Sequence, residues 1–266
     1  LILHERKVIW GIVMEGQIVK IGVVKCGNIG TAPLIEFLFD ERADREDLDV
    51  RVIGSGAKMG PEQAEEVAKK ILDFNPDLVI IISPNAALPG PSKAREILAQ
   101  SNIPTIVISD QPGKKAVKDI EGKNMGYFII LADAMIGARR EFLDPIEMAI
   151  FNADLIKVLS VTGVFSIVYR EIARVVEQIK KGEKPELPRI IIDKETAVKA
   201  AGFQNPYALA KAMAAYEIAR NAASLTVEGC FVIKEMERYV PIVAAAHEMI
   251  RIAAALASEA REIEKY

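Results

Sequence analysis

The sequence predicts an α/β protein: a doubly wound parallel sheet followed by a mostly helical region with a small β-sheet. Three observations predict it. Short β-rich runs alternate with helical segments through the first half of the chain. Those runs are apolar at consecutive positions, as in Leu78-Val79-Ile80-Ile81-Ile82, the pattern of strands covered by helices on both faces. The alternation stops near Gly137, after which long Ala-, Ile- and Glu-rich stretches dominate.

Residues 1–13 hold a short apolar run, Val8 to Val13, between charges, too short for a signal sequence core and without a small-residue cleavage site. The first convincing strand follows Met14, so residues 1–13 read as an upstream extension. Strands are expected at 19–25, 49–53, 77–82, 105–108 and 127–131, with helices at 32–41, 61–74, 92–99 and 114–121. Gly60-Pro61 followed by acids is a sound helix start, because Pro suits the first turn and acids suit its positive end. Right-handed crossovers between these units give the doubly wound layout. Beyond them, helices are expected at 145–181, 206–223 and 239–265, with strands at 189–193 and 230–234 forming the small sheet. The chain thus divides into residues 1–13, an α/β ligand-binding domain at 14–140, and a helical, oligomerising domain at 141–266. Small residues at helical spacing, such as Ala212 and Ala215, permit close helix packing within or between subunits.

The chain has 266 residues, 51% of them apolar, enough for one large core or two modest ones. Its net charge of -3 lacks the basic excess of a nucleic-acid binder. Two cysteines and two histidines, none in metal-ligand spacing, argue against a zinc site. No run approaches the ~20 uncharged residues of a membrane span, so a cytoplasmic protein is expected.

In an open parallel sheet ligands gather beyond the carboxyl ends of the strands, where loops and helix N-termini converge. Those ends are rich in glycine and small polar residues: Cys26-Gly27-Asn28-Ile29-Gly30-Thr31, Gly54-Ser55-Gly56-Ala57-Lys58-Met59, and Ser83-Pro84-Asn85. Asp110 follows the fourth strand, and Asp133-Ala134-Met135-Ile136-Gly137 the fifth. Gly27-x-x-Gly30 suits a helix-opening turn or an anion-holding loop. It is not a dinucleotide fingerprint, since Lys25 stands where the first glycine belongs and Gly54 where a ribose-binding acid would sit. Arg139 and Arg140 can hold an acidic ligand tail or bridge to Glu141, Asp144 or another subunit. Lys58 reads similarly, whereas Lys93 and Arg95 read more readily as a solvated helix face. Cys26 reads as a small buried apolar residue, and no nucleophile elbow or catalytic triad order stands out.

Several segments together closely resemble F420-dependent methylenetetrahydromethanopterin dehydrogenases of archaea. They are Val19-Lys20-Ile21-Gly22, Lys25 to Thr31, Asp40-Glu41-Arg42-Ala43-Asp44, Gly54 to Met59, and Ile136 to Pro145. The likeness continues through Phe151-Asn152-Ala153-Asp154, Asn205-Pro206-Tyr207-Ala208, Lys211 to Glu217, Pro241-Ile242-Val243 and Ala246-His247-Glu248-Met249. It implies hydride exchange between coenzyme F420, as cosubstrate, and the methenyl/methylene carbon of tetrahydromethanopterin, with no metal, in a homo-oligomer, a hexamer. Such chemistry mainly needs two rings aligned, with no strong acid or base. The residues expected to line the site are Gly27, Asn28, Ile29, Gly30, Thr31, Gly54, Ser55, Gly56, Ala57, Lys58, Met59, Ser83, Pro84, Asn85, Met135, Ile136, Gly137, Arg139 and Arg140. The alternatives are an NAD(P)-linked dehydrogenase, disfavoured by Lys25 and Gly54, and a non-catalytic module that binds an anionic ligand.

Overall fold

The computed structural model describes residues 18–39, 45–134 and 145–265. Six strands, β1 (Val19–Lys25), β2 (Leu48–Gly54), β3 (Leu78–Ser83), β4 (Thr105–Asp110), β5 (Gly126–Ile130) and β6 (Arg189–Ile192), form one parallel sheet in the order β2-β1-β3-β4-β5-β6. β3, β4 and β5 are buried along their whole length, as their uninterrupted apolar runs require.

Alternate side chains serve opposite faces. On the first face Ile21, Val23, Ile80, Ile82, Ile108 and Phe128 pack with α1 (Thr31–Phe39), α5 (Pro145–Val161) and α6 (Val164–Lys180). On the second face Val24, Val79, Ile81, Val107 and Ile129 pack with α2 (Pro61–Leu72), α3 (Pro89–Gln100) and α4 (Val117–Gly122). Each helix of the second face is followed by an asparagine at positive φ, Asn75, Asn102 and Asn124, a residue that tolerates the left-handed turn leading into the next strand. The doubly wound α/β class is therefore what the chain adopts.

Three elements differ from expectation. The strand at 189–192 does not join a separate small sheet but pairs with β5 as the sixth strand of the main one. The helices α5 and α6 between β5 and β6 pack on the first face, yet the step across the sheet is in the same direction as β3 to β4, whose helix α3 packs on the second face. The two connections therefore have opposite hands, and the right-handed rule, derived for short βαβ units, does not place β6. Residues 230–234 are not a strand: Glu228–Val232 makes a π-helical turn at the end of α8, and short apolar runs do not by themselves choose between strand and helix. The helix expected at 145–181 breaks by 71° between α5 and α6. Gly163 stands at the break with φ +97°, and a Cβ there would lie 2.2 Å from the Ala197 carbonyl, so only glycine lets α7 (Lys194–Ala201) approach.

The helical layer is completed by α8 (Pro206–Val227) and α9 (Met236–Lys265). Ala212, Ala215, Ala219 and Ala222 of α8 and Ala246, Ala253 and Ala257 of α9 are fully buried, so for these residues the small-residue stripe is core within the chain. Among the described residues α9 is long and apolar enough to cross a membrane, as is the bent α5–α6 pair taken together. Both contribute to the core here, since Ala246, Ile250, Ala253 and Ala254 of α9 pack into the same cluster as Leu155, Val168 and Ile172.

Candidate active site

Strand order reverses between β1 and β3, and the crevice at their carboxyl ends is where a doubly wound sheet accepts ligands. The loop from β1 to α1 is the hub of this region. Gly27 adopts φ +92°, and a Cβ there would lie 2.5 Å from Met59 Sδ and 3.0 Å from Pro84 Cδ. The loops that follow β1, β2 and β3 therefore meet at Gly27. A Cβ on Gly90, in the first turn of α3, would strike the Met59 carbonyl at 2.1 Å, which seats that turn on the β2 loop.

At the far end of the hub, Gly30 is held between Leu155 of α5 and Asp133 beyond β5. Asp133 is fully buried, and its Oδ1 accepts the Gly30 N–H at 2.7 Å while Oδ2 accepts the Thr31 N–H at 2.9 Å. The Thr31 hydroxyl donates to the same Oδ2. Two of the N–H groups that the sequence offers to a ligand anion are thus already taken by a protein carboxylate.

Of the expected site residues, Gly27, Asn28, Ile29, Gly30, Thr31, Met59, Ser83, Pro84 and Asn85 belong to this cluster of loops. Gly54, Gly56, Ala57 and Lys58 lie on the exposed outer part of the β2 loop, with Ser55 half-buried and its N–H bonded to the Lys25 carbonyl at 3.0 Å. Met135, Ile136, Gly137, Arg139 and Arg140 lie outside the described residues. Lys93 sits on an exposed helix face opposite Glu65 and Glu96, as expected. Arg95 does not: it is 1% exposed, with Nη1 on the Ala86 carbonyl at 2.6 Å and Nε and Nη2 on Asp119 at 3.0 and 2.8 Å. It lies buried between the β3–α3 loop and Asp119 of α4, and a helical period does not say which charged residue turns inward with its partner.

Sequence reasoning placed Asp110 and Asp133 at strand ends without giving either a role. Both are fully buried, neighbours at the ends of β4 and β5. Burial raises the Asp110 pKa well above the usual carboxylate range, and the Asp133 charge raises it further. Burial also lifts Asp133, to about 6, against the lowering effect of the Thr31 and Gly30 donors. Around them Ser83 Oγ, Asp110 Oδ2 and Gln111 Oε1 are buried polar atoms with no protein partner among the described residues. Burial pushes the Cys26 thiol up to about 11, so it is a neutral packing group as expected.

In the helical layer Phe151 and His247, from two of the motifs quoted above, stack with ring centroids 4.1 Å apart, and His247 Nδ1 lies 3.3 Å from Glu147 Oε1. Burial lowers the His247 pKa, although Glu147 acts to raise it. A cavity of about 310 Å³ lies elsewhere, lined by Ser160, Val161, Ala201, Phe203, Arg261, Glu264 and Lys265. None of these is at a strand end, so size does not make it the reaction site. Among the described residues no three His, Cys, Asp or Glu side chains are grouped to hold a metal ion.

Fold and crevice together define a doubly wound α/β protein whose loops after β1, β2 and β3 meet at the carboxyl ends of the strands. Residues 19–266 match the family model described as methylene-5,6,7,8-tetrahydromethanopterin dehydrogenase, and the chain belongs to that family. It is 60% identical to the F420-dependent methylenetetrahydromethanopterin dehydrogenase of Archaeoglobus fulgidus and 56% identical to that of Methanocaldococcus jannaschii. Each match covers 94% of this chain and 90% of the relative. A solved structure of an F420-dependent methylene-tetrahydromethanopterin dehydrogenase in complex with methylene-tetrahydromethanopterin and coenzyme F420 superposes with a TM-score of 0.87. It is 52% identical, covering 94% of this chain and 90% of that one.

Proposed function

We infer that this chain is an oxidoreductase that moves a hydride between coenzyme F420 and the one-carbon group of tetrahydromethanopterin, in the one-carbon metabolism of methanogenesis. The observation that carries this is the 52% identity, over 94% of the chain, to a structure holding both ligands. In the reducing direction the reduced deazaflavin gives a hydride to the cationic methenyl carbon, forming a C–H bond, and releases one proton to solvent as its ring returns to the oxidised form. The reverse step restores the methenyl cation and the reduced coenzyme. The methenyl carbon is already electrophilic and the donor already activated, so the protein's task is alignment and exclusion of water.

The strand-end loops are the proposed ligand site, with the 27–31, 54–59 and 83–85 segments and the Arg139/Arg140 region serving F420 and the pterin. The proposed division of labour gives residues 14–140 the ligand loops and residues 141–266 oligomer contacts, residues 1–13 being an extension outside both. A homo-oligomer, a hexamer, in the cytoplasm completes the proposal. Exposed Ile146, Ile150, Phe231, Val232 and Met236 in the second half support the subunit contacts.

Purified protein supplied with methylene-tetrahydromethanopterin and oxidised F420 should show loss of the coenzyme's visible absorbance, and none of the nicotinamide signal when NAD or NADP replaces it. Nicotinamide reduction, or binding of F420 without turnover, would establish one of the two alternatives instead. Mass measurement in solution tests the hexamer.

A further inference from the structure

The β1–α1 loop touches each of the other described loops of the site, and its far end is fastened by a residue remote in sequence. Asp133 follows β5, two strands beyond β3, yet all three of its donors among the described residues belong to Gly30 and Thr31. A carboxylate at the first turn of a helix is favoured by the positive end of that helix and by charge-assisted bonds. Here it also fills the place an incoming anion would take. Leu155 closes the other side, since a Cβ on Gly30 would meet its Cδ2 at 2.8 Å.

We propose that Asp133 is the positioning residue for F420 binding: its carboxylate fixes the 26–31 loop, whose shape sets the coenzyme's affinity, while itself touching no ligand. This deepens the F420 assignment and rests on it. Asp133 is 0% exposed, so it acts through the loop rather than on the reacting atoms. It also follows that the acidic groups of the coenzyme are held by donors other than the Gly30 and Thr31 N–H groups.

The state of charge matters to the clamp. The described groups facing Asp133 are the N–H and hydroxyl donors of α1, the apolar Leu155 of α5, and Asp110 at the end of β4. Among the described residues Asp110 accepts only the Gln111 N–H, whereas Asp133 accepts three donors, so the pair carries one charge and that charge resides on Asp133. Protonation of Asp133, whose pKa lies at about 6, turns one acceptor oxygen into a donor facing other donors and opens the clamp.

Steady-state kinetics of full-length Asp133→Asn, Thr31→Val and Thr31→Ser test this. Asp133→Asn should raise KM for F420 about tenfold or more, as expected for a lost charge-assisted bond, with kcat and the pterin KM within about twofold of wild type. Thr31→Val should do the same to a smaller degree, and Thr31→Ser should recover most of that loss. Below about pH 6 wild-type KM for F420 should rise toward that of Asp133→Asn, so that the two converge. Comparing the two proteins at each pH cancels the coenzyme's own titration. If Asp133→Asn does not fold, the Thr31 pair decides alone. An unchanged KM for F420 in folded Thr31→Val, or a lowered melting temperature with unchanged KM in Asp133→Asn, would overturn the proposal. An inactive wild type would instead overturn the F420 assignment beneath it.

Discussion

The guanidinium of Arg95, at the centre of α3, donates to the backbone carbonyl of Ala86 at 2.6 Å and so ties the β3–α3 loop to the helix behind it. The Ala86 N–H is held from the other side by Ser109 Oγ at 2.9 Å. Ser83, Pro84 and Asn85 immediately precede this doubly fastened residue.

Arg95→Met should therefore lower stability by about 1–3 kcal/mol, because the Ala86 carbonyl loses a charged donor in a dry environment. Asp119→Asn should cost less, since Asp119 is 39% exposed and its amide still accepts from Arg95. Chemical denaturation of the two variants gives the order, and equal costs would show that the Asp119 contact matters as much as the loop contact.

Asp110→Asn should stabilise the protein at neutral pH. The folded chain holds the Asp110 proton well above its ordinary pKa of 3.8, whereas the unfolded chain releases it near 3.8. The unfolded state thus binds fewer protons as pH rises past about 4, and stability falls with rising pH until the folded pKa is passed. Asparagine removes that dependence. Melting temperatures from pH 4 to 8 should show a gain that is largest at neutral pH and shrinks toward pH 4; a gain independent of pH would mean the Asp110 side chain is not buried as a neutral acid.

Gly27→Ala should weaken F420 binding and cost about 1–3 kcal/mol of stability, through the positive φ and the contacts with Met59 and Pro84. Adding Met59→Ala should return part of the stability, the steric share, and leave the conformational share. Full recovery in the double variant would show that the backbone at Gly27 carries no strain.

Tyr216→Phe should cost about 1 kcal/mol, a fall of roughly 2–4 °C in melting temperature for a chain of this size. The Tyr216 hydroxyl is buried and donates to the Ile192 carbonyl at 2.6 Å, which joins α8 to the last strand of the sheet. An unchanged melting temperature would mean that the Leu131 N–H, which also donates to that carbonyl at 3.2 Å, suffices for it.

The sequence by itself determined the first five strands and the class of fold, because a buried parallel strand needs an unbroken apolar run and Leu78 to Ile82 has no other use. It also made the candidate ligand loops legible, since small residues at strand ends are local facts, and the family, since the resemblance spans many separated segments. Only the tertiary structure decided the rest. The run at 189–192 reads the same whether it starts a new sheet or closes an old one; pairing with β5 is settled by a long connection whose hand no local pattern encodes. Residues 230–234 could have been strand or helix until their surroundings were packed. Arg95 looked solvated because its partners, Ala86 and Asp119, approach from other elements. Asp133 became a clamp because a carboxylate about a hundred residues away in sequence finds its donors at Gly30 and Thr31 only when five strands are in register. Burial and long-range hydrogen bonds are properties of the assembled fold, and they decide which of the legible residues hold the site in shape.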